Sequence, residues 1–313
     1  YVYNLIEQHF KPLKNPEGAP PRKMYPVPDH EENYYAIVTD PEAPRTDIRI
    51  YFKREVQPDK TVADYRQSLV ENLYNQLLNN RLDELRQQAD PPFIYGYSAT
   101  GSIVRTKETY FLTALVKEDG IERGMDALFT EAMRVKQYGF VESELERGKT
   151  ALLRSYEQMF NERDKTESGR YASEYIRNYL EDEAIPGIEN EYQYAQAFLP
   201  GITLDEVNAM VDEFLLDHNR VVIVQAPEKE GLAIPTEEDL AEVLNAVEQK
   251  ELEPYQDQVS DEPLVAEPPE PAEIVKETYF EELDATEWVF PNNIRVMLKS
   301  TDFKHDETLF RAP

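Results

Sequence analysis

The sequence has no cysteine, one tryptophan, four histidines and few basic residues. Without thiols it can form no disulfide, thiolate zinc site, iron–sulfur cluster or cysteine nucleophile. Lys and Arg number 33 against 62 Asp and Glu, a formal charge of −29 at pH 7. A surface this acidic repels phosphate backbones, and no basic stripe offsets it, so nucleic-acid binding is excluded. No apolar run approaches the roughly 20 residues that a helix needs to cross a bilayer. What is present suffices for a real core: 313 residues, 41% of them hydrophobic, enough for one large domain or two ordinary ones.

The scarcity of histidine decides most of the chemistry. The four are His9, His30, His218 and His305, and no two lie one helical turn apart. Neither H-E-x-x-H nor H-x-x-E-H occurs, and a helical zinc site needs two imidazoles one turn apart so that both reach one metal. His218 is expected at a helix C-terminus, where a partial positive charge suits the dipole. His30, beside Glu31 and Glu32, is expected in a loop. No G-x-S-x-G, S-x-x-K, P-loop or G-x-G-x-x-G motif is present. No catalytic, cofactor-binding or metal-ligating residue is therefore assigned to any position. Two aromatic patches remain. Phe93-Ile-Tyr-Gly-Tyr97 is expected to be core strand, with Gly96 admitting a close neighbour. Tyr171, Tyr175 and Tyr179, at spacing four, share one helix face, expected in the core or at a domain interface.

Along the chain, YVYNLIEQHF (1–10) reads as the last turns of an amphipathic helix, with Val2, Leu5, Ile6 and Phe10 on one face. Residues 12–44 hold eight of the 22 prolines and read as a connector with a short strand at 34–39. IRIYFKRE (48–55) alternates Ile48, Ile50 and Phe52 against Arg49, Tyr51 and Lys53, the pattern of a half-buried strand. Thr61, with Asp64 three residues on, caps a helix to about Leu85. Strands follow at 93–100 and 110–117, with a short link that favours antiparallel pairing. Helices then read from Asp119 to Gly139, at 142–160, 167–181, 189–198 and 204–216, the last capped by Thr203 and Glu206, before a strand at 220–226. This order predicts an α+β fold, an antiparallel sheet with helices packed on one face. Residues 236–290 carry 18 acids and two bases. After a short helix capped by Thr236, they read as an extended linker, a solvated spacer or, alternatively, a docking segment for a basic partner. The final residues, IRVMLKSTDFKHDETLFRAP, read as a strand, a polar turn and the start of another strand. Both ends are expected to belong to neighbouring domains of a longer protein.

Gly139-Phe-Val-Glu-Ser-Glu-Leu-Glu-Arg-Gly-Lys149 resembles the pattern of glycine, apolar residue, Glu-Leu and small-Lys found in the pitrilysin/insulinase family of zinc metallopeptidases. Glu162 to Gly169, Tyr175 to Leu180, Pro200 to Val207 and Asn219 to Lys229 follow in the family's order and spacing. Trp288 to Lys299 is similar to the strand that opens a new domain in that family, with Asn293 where glycine is usual; Asn also accepts positive φ.

The resemblance implies a mitochondrial processing peptidase/pitrilysin-like metallohydrolase domain. Large members of the family have four similar α+β domains, two per half, closing over a chamber that holds an unfolded peptide. It implies zinc in the first domain of the parent, held by an H-x-x-E-H helix and a distal Glu that this chain lacks, so this segment itself is expected to bind no cofactor. The implied plan is the end of a preceding domain and connector at 1–30, a non-catalytic second domain at 31–228, an acidic linker at 229–287 and the opening strands of a third domain at 288–313. Its partners would be the other domains of the parent chain and a peptide substrate. Two other readings stay open: an inactive structural or peptide-binding subunit that partners an active peptidase, and an unrelated acidic scaffold domain. Compartment, periplasm or cytoplasm, and oligomeric state are left open by the residues.

Overall fold

Period-two alternation builds the sheet. In a computed structural model, which describes all residues except 15, 16, 19, 21, 22, 258–264, 303–307 and 313, strand β2 (Thr46–Arg54) buries every second side chain. It pairs antiparallel with β4 (Lys107–Val116) on one side and β5 (Arg220–Pro227) on the other. β3 (Tyr95–Val104) joins β4 as an antiparallel hairpin, with a register shift between Ser102 and Val104 where the sequence allows a turn or bulge. β1 (Tyr34–Asp40) lies parallel to β5, giving the order β1-β5-β2-β4-β3. The expected antiparallel sheet thus has one parallel pair at its edge. β5 is inserted between β1 and β2, so the link at 41–45 passes over the end of β5, and the helices of the intervening chain supply the long crossover that parallel strands need.

The helices cover one face. α2 (Val62–Arg86) and α3 (Ile121–Tyr138) lay Leu69, Leu73, Leu77, Met125, Leu128 and Phe129 on the inner side chains Ile48, Ile50, Phe52, Leu112, Val222 and Val224. Each of these is fully or almost fully buried, worth roughly 1.5–3 kcal/mol apiece in removed apolar surface. α4 (Glu142–Asn161), α6 (Ile188–Phe198) and α7 (Leu204–Phe214) complete the layer. The capping boxes expected at Thr61 and Thr203 both form, Asp64 Oδ2 accepting from the Thr61 N–H at 2.8 Å and Glu206 Oε2 from the Thr203 N–H at 2.8 Å. No described helix is long and apolar enough to cross a membrane.

The Gly139–Lys149 motif has a physical explanation in this layer. Gly139 takes φ +73, and a Cβ there would meet the Asn208 amide at 2.6 Å. Glu144 receives both Nε and Nη2 of Arg81, at 2.7 and 2.8 Å, and also the Val141 N–H that begins α4, at 2.8 Å. Leu145 is buried, and Gly148 lets Leu77 of α2 approach so closely that a Cβ would stand 2.8 Å from its Cδ2. Arg81 also donates to the Gly139 carbonyl at 3.1 Å and faces Glu131 of α3 at 3.4 Å.

Three expectations change. The Tyr171, Tyr175 and Tyr179 face is not core: α5 (Ser168–Glu181) buries no residue, and the three rings are 39%, 58% and 86% exposed. A regular apolar spacing marks a face but not whether anything covers it. His218 does not sit at a helix end; α7 stops at Phe214, and His218 is exposed in the turn before β5. The stretch 237–257, read as linker after its short helix, packs on the core. α8 (Glu237–Glu248) buries Leu240, Leu244 and Val247 against α3. Beyond it, Tyr138 Oη donates to the Leu252 carbonyl at 2.5 Å, Tyr255 stacks 4.0 Å from the Arg81 guanidinium, and Asp257 accepts both Arg147 Nη atoms at 2.7 and 3.1 Å. Acidic composition suggested solvation here, but the acids are spaced so that one helix face stays apolar. Further on, β6 (Lys276–Phe280), β7 (Ala285–Val289) and β8 (Arg295–Leu298) form a separate antiparallel sheet that starts earlier than Trp288. Asn293 takes φ +62 in its second turn, the left-handed backbone expected of it.

Replacing Arg81 by Leu should lower stability by about 3–5 kcal/mol, because it leaves the buried Glu144 carboxylate without a cation and takes one of the two arginines from Glu131, which keeps Arg134; urea unfolding of the full chain measures this. A second prediction concerns pH. The Arg66 guanidinium, with the Thr203 N–H, holds the Glu206 carboxyl at about 2 instead of the ordinary 4.5. A depressed folded pKa contributes stability that is present above the ordinary value and lost as pH falls toward the folded one. Glu206→Gln should therefore flatten the decline in melting temperature between about pH 5 and about pH 2 in a series of thermal melts.

Candidate functional site

The three described histidines lie in different surroundings. His9 is exposed in the last turn of α1 (Val2–Phe10), and His305 lies outside the described residues. His30 stacks on Tyr34 with ring centroids 3.9 Å apart, and its Nδ1 lies 2.6 Å from the Glu32 carbonyl oxygen. The fold brings His30 to Asn219, next to His218: the His30 N–H donates to Asn219 Oδ1 and the Asn219 N–H to the His30 carbonyl, both at 2.8 Å. Asn219 takes φ +60, a backbone state that Asn tolerates, and the reading of the sequence did not single it out. Among the described residues, no group of three or more His, Asp or Glu side chains could hold a metal ion.

The candidate surface lies on the other side of the sheet. The helices occupy one face, so the alternate side chains point to a face without helices. Strand register arranges these into rungs. One runs Tyr34, Val221, Tyr51, Phe111 and Ala99 from β1 to β3. The next is Ala36, Ile223, Arg49, Thr113 and Tyr97, and the third is Val38, Gln225, Asp47, Leu115 and Tyr95. Tyr51 packs 5.7 Å from Phe111, Phe111 lies 6.3 Å from Tyr97, and Tyr97 stacks 6.1 Å from Tyr95, which is 51% exposed. The result is a half-exposed aromatic stripe across a largely uncharged wall. The expected aromatic patch is split by the pleat: Phe93 is buried with its ring against Gly96, while Tyr95 and Tyr97 face outward.

The Pro-rich connector covers the lower end of this wall. Lys53 Nζ donates to the Pro28 carbonyl at 2.7 Å and Thr106 Oγ1 to the Tyr25 carbonyl at 2.8 Å. Lys107, nearly buried, bonds Asp29 at 2.9 Å and also Glu55. Hydrogen bonds from Lys107 and Asn219 lower the Asp29 pKa, those to Glu55 and Asp29 raise that of Lys107, and burial lowers that of Lys53. Below the connector a cleft of 640 Å³ opens between Met24, Val56–Lys60, Arg105 and the end of α5. Arg49, Tyr51 and Lys53 were legible as the outward side of a strand; that register would align them with Phe111 and Tyr97 was not.

A family model described as "Peptidase M16 inactive domain" matches residues 2–152. A curated relative from Arabidopsis thaliana, "Zinc protease PQQL-like", is 28% identical over 309 residues, covering 99% of this chain and 29% of that protein. The chain thus spans under a third of that relative's length. Among solved structures, the first half of the periplasmic protease PqqL from Escherichia coli superposes with a TM-score of 0.71 at 17% identity, over 82% of this chain and 55% of that one. The longer structure of the same protease gives 0.68 at 18% identity, over 96% and 33%. At these identities the likeness concerns the fold.

If no zinc site resides in this chain, elemental analysis after purification without chelators should find well under one zinc per chain, and a competing chromophoric chelator should show no tight stoichiometric site.

Proposed function

We propose that this chain, whose residues 2–152 match the peptidase M16 inactive-domain model and which is 28% identical to a zinc protease-like relative, is a member of the pitrilysin/insulinase family, supports the metal-bearing domain of a longer endopeptidase and forms part of the chamber that holds the peptide. In this reading residues 31–228, with the docked stretch to Asp257, are one buttressing domain, and β6 to β8 begin another. The helix-free sheet face is the chamber wall. Hydrolysis takes place at zinc ligands elsewhere in the parent, and no catalytic step is assigned to these residues.

The observation that carries this reading is the aromatic stripe of Tyr95, Tyr97, Phe111 and Tyr51 on a sheet face that no helix covers. A sheet of this size normally buries such rings. Here Tyr95 is 51% exposed and Tyr51, Tyr97 and Phe111 are partly exposed, in rungs that an extended peptide can lie across, and their flat faces accept many side chains with little conformational cost. Residues 237–257 of the acidic stretch do not contribute to this wall: they are held by α2, α3 and α4.

Binding of a fluorescein-labelled unfolded peptide to the full chain, followed by anisotropy, tests the reading. The double substitution Tyr51→Ala and Phe111→Ala should weaken binding about tenfold, the scale of losing a well-placed aromatic contact. Unchanged binding by a variant with native circular dichroism would refute the wall assignment.

A further inference from the structure

The chain is strongly acidic, but its helix-free sheet face is not. Against 62 acids and 33 bases in the whole sequence, the outward positions of the five strands carry Asp40, Asp47, Arg49, Lys53 and Lys107, two acids and three bases. Most of these charges are already engaged. Lys107 is held by Asp29 and Glu55, Lys53 donates to the Pro28 carbonyl, and Asp47 lies 3.4 Å from Arg45 Nε. Arg49 is different. Among the described residues it has no carboxylate within 4.0 Å and no hydrogen-bond acceptor, although Arg54, Arg81 and Arg220 each face one.

Its position adds to this. β2 is the middle strand, and Arg49 is the second of its four outward residues Asp47, Arg49, Tyr51 and Lys53. Its neighbours across the sheet are Thr113 and Ile223. Arg49 as a residue is partly buried, its neighbours on this face are methyl groups and rings, and its guanidinium faces no carboxylate among the described residues. A planar fork with free donors in such a place matches a carboxylate, which it can take with two parallel N–H···O bonds. The rings beside it suit apolar side chains on either side of that carboxylate.

We infer that Arg49 is a carboxylate-recognising residue at the centre of the wall, and that the wall prefers extended peptides carrying Asp or Glu flanked by apolar or aromatic residues. This rests on the reading of the face as a peptide-holding wall. The preference is local: the acidic remainder of the surface repels such a peptide, but at physiological salt that repulsion is screened beyond roughly 8 Å, while the contact at Arg49 is not.

The test uses the full chain and two labelled unfolded peptides, identical except for a central Glu or Gln between two Phe residues. The Glu peptide should bind about tenfold more tightly, the scale of a charge-assisted pair. Arg49→Gln should abolish the difference, Arg49→Lys should keep part of it as a charge without the fork, and Asp47→Asn should preserve or enlarge it. Equal binding of the two peptides to the unaltered chain, or a Glu preference that survives Arg49→Gln, overturns the assignment. If both peptides bind equally and Tyr51→Ala weakens both, the wall stands and Arg49 falls; if neither binds, the wall itself falls. Arg49→Gln is a surface exchange, and the Arg49→Lys series gives an independent reading should that variant fold poorly.

Discussion

Arg81 carries its charge into a site where its side chain is 1% exposed, and the surrounding structure is arranged around that fact. A buried guanidinium costs several kcal/mol unless its donors are met with good geometry. Glu144 meets two of them, and it can do so only if α4 starts where it does, since the same carboxylate caps that helix at Val141. The Gly139 carbonyl meets another donor, which holds the left-handed turn between α3 and α4. Phe140 and Tyr255 close the guanidinium's two faces at 4.9 and 4.0 Å. One side chain thus ties α2, α3, α4 and the stretch after α8 to a common geometry.

The same device recurs twice. Arg54 pairs with Glu71 at 2.8 Å and Glu108 at 3.3 Å beneath the Phe214 ring, joining β2 to α2, β4 and α7. Arg220 pairs with Glu248 at 2.7 Å and lies over Phe52 and Phe129, joining β5 to the end of α8. Well-packed apolar residues could stabilise these places as much, but paired charges accept far fewer alternative packings.

Covering one face of the sheet with helices decides what the other face can be. Its rings are half-exposed, its charges few, and its lower end is occupied by the connector. The exposed tyrosine face of α5 and the uncovered apolar side of α1 lie on other elements and do not extend this wall. What distinguishes the wall is regularity: each rung has a defined neighbour above and below, so an extended chain laid on it meets alternating aromatic, aliphatic and cationic positions.

Much of this was legible in the residues because it depends on local rules. Alternation in Ile48 to Lys53, the capping pairs at Thr61 and Thr203, proline-free helices and the tolerance of Asn293 for positive φ are properties of short segments. The same holds for the absence of paired histidines and for the Gly139–Lys149 pattern that carried the family resemblance. Covering and neighbourhood were not legible. Nothing in the spacing of Tyr171, Tyr175 and Tyr179 says that no element packs on them, and nothing in the acidity of 237–257 says that its apolar face and Tyr255 will be held by the core. Contacts between Tyr51 and Phe111, or between His30 and Asn219, join residues far apart in the chain, so they exist only once strand order and register are set. The sequence by itself determined most of the elements, the sign of the surface and the absence of a paired-histidine motif, since each follows from the chemistry of neighbouring residues; only the tertiary structure decided which faces stay open and that Arg49, in the middle of one of them, faces no carboxylate among the described residues, since these depend on where distant strands come to lie.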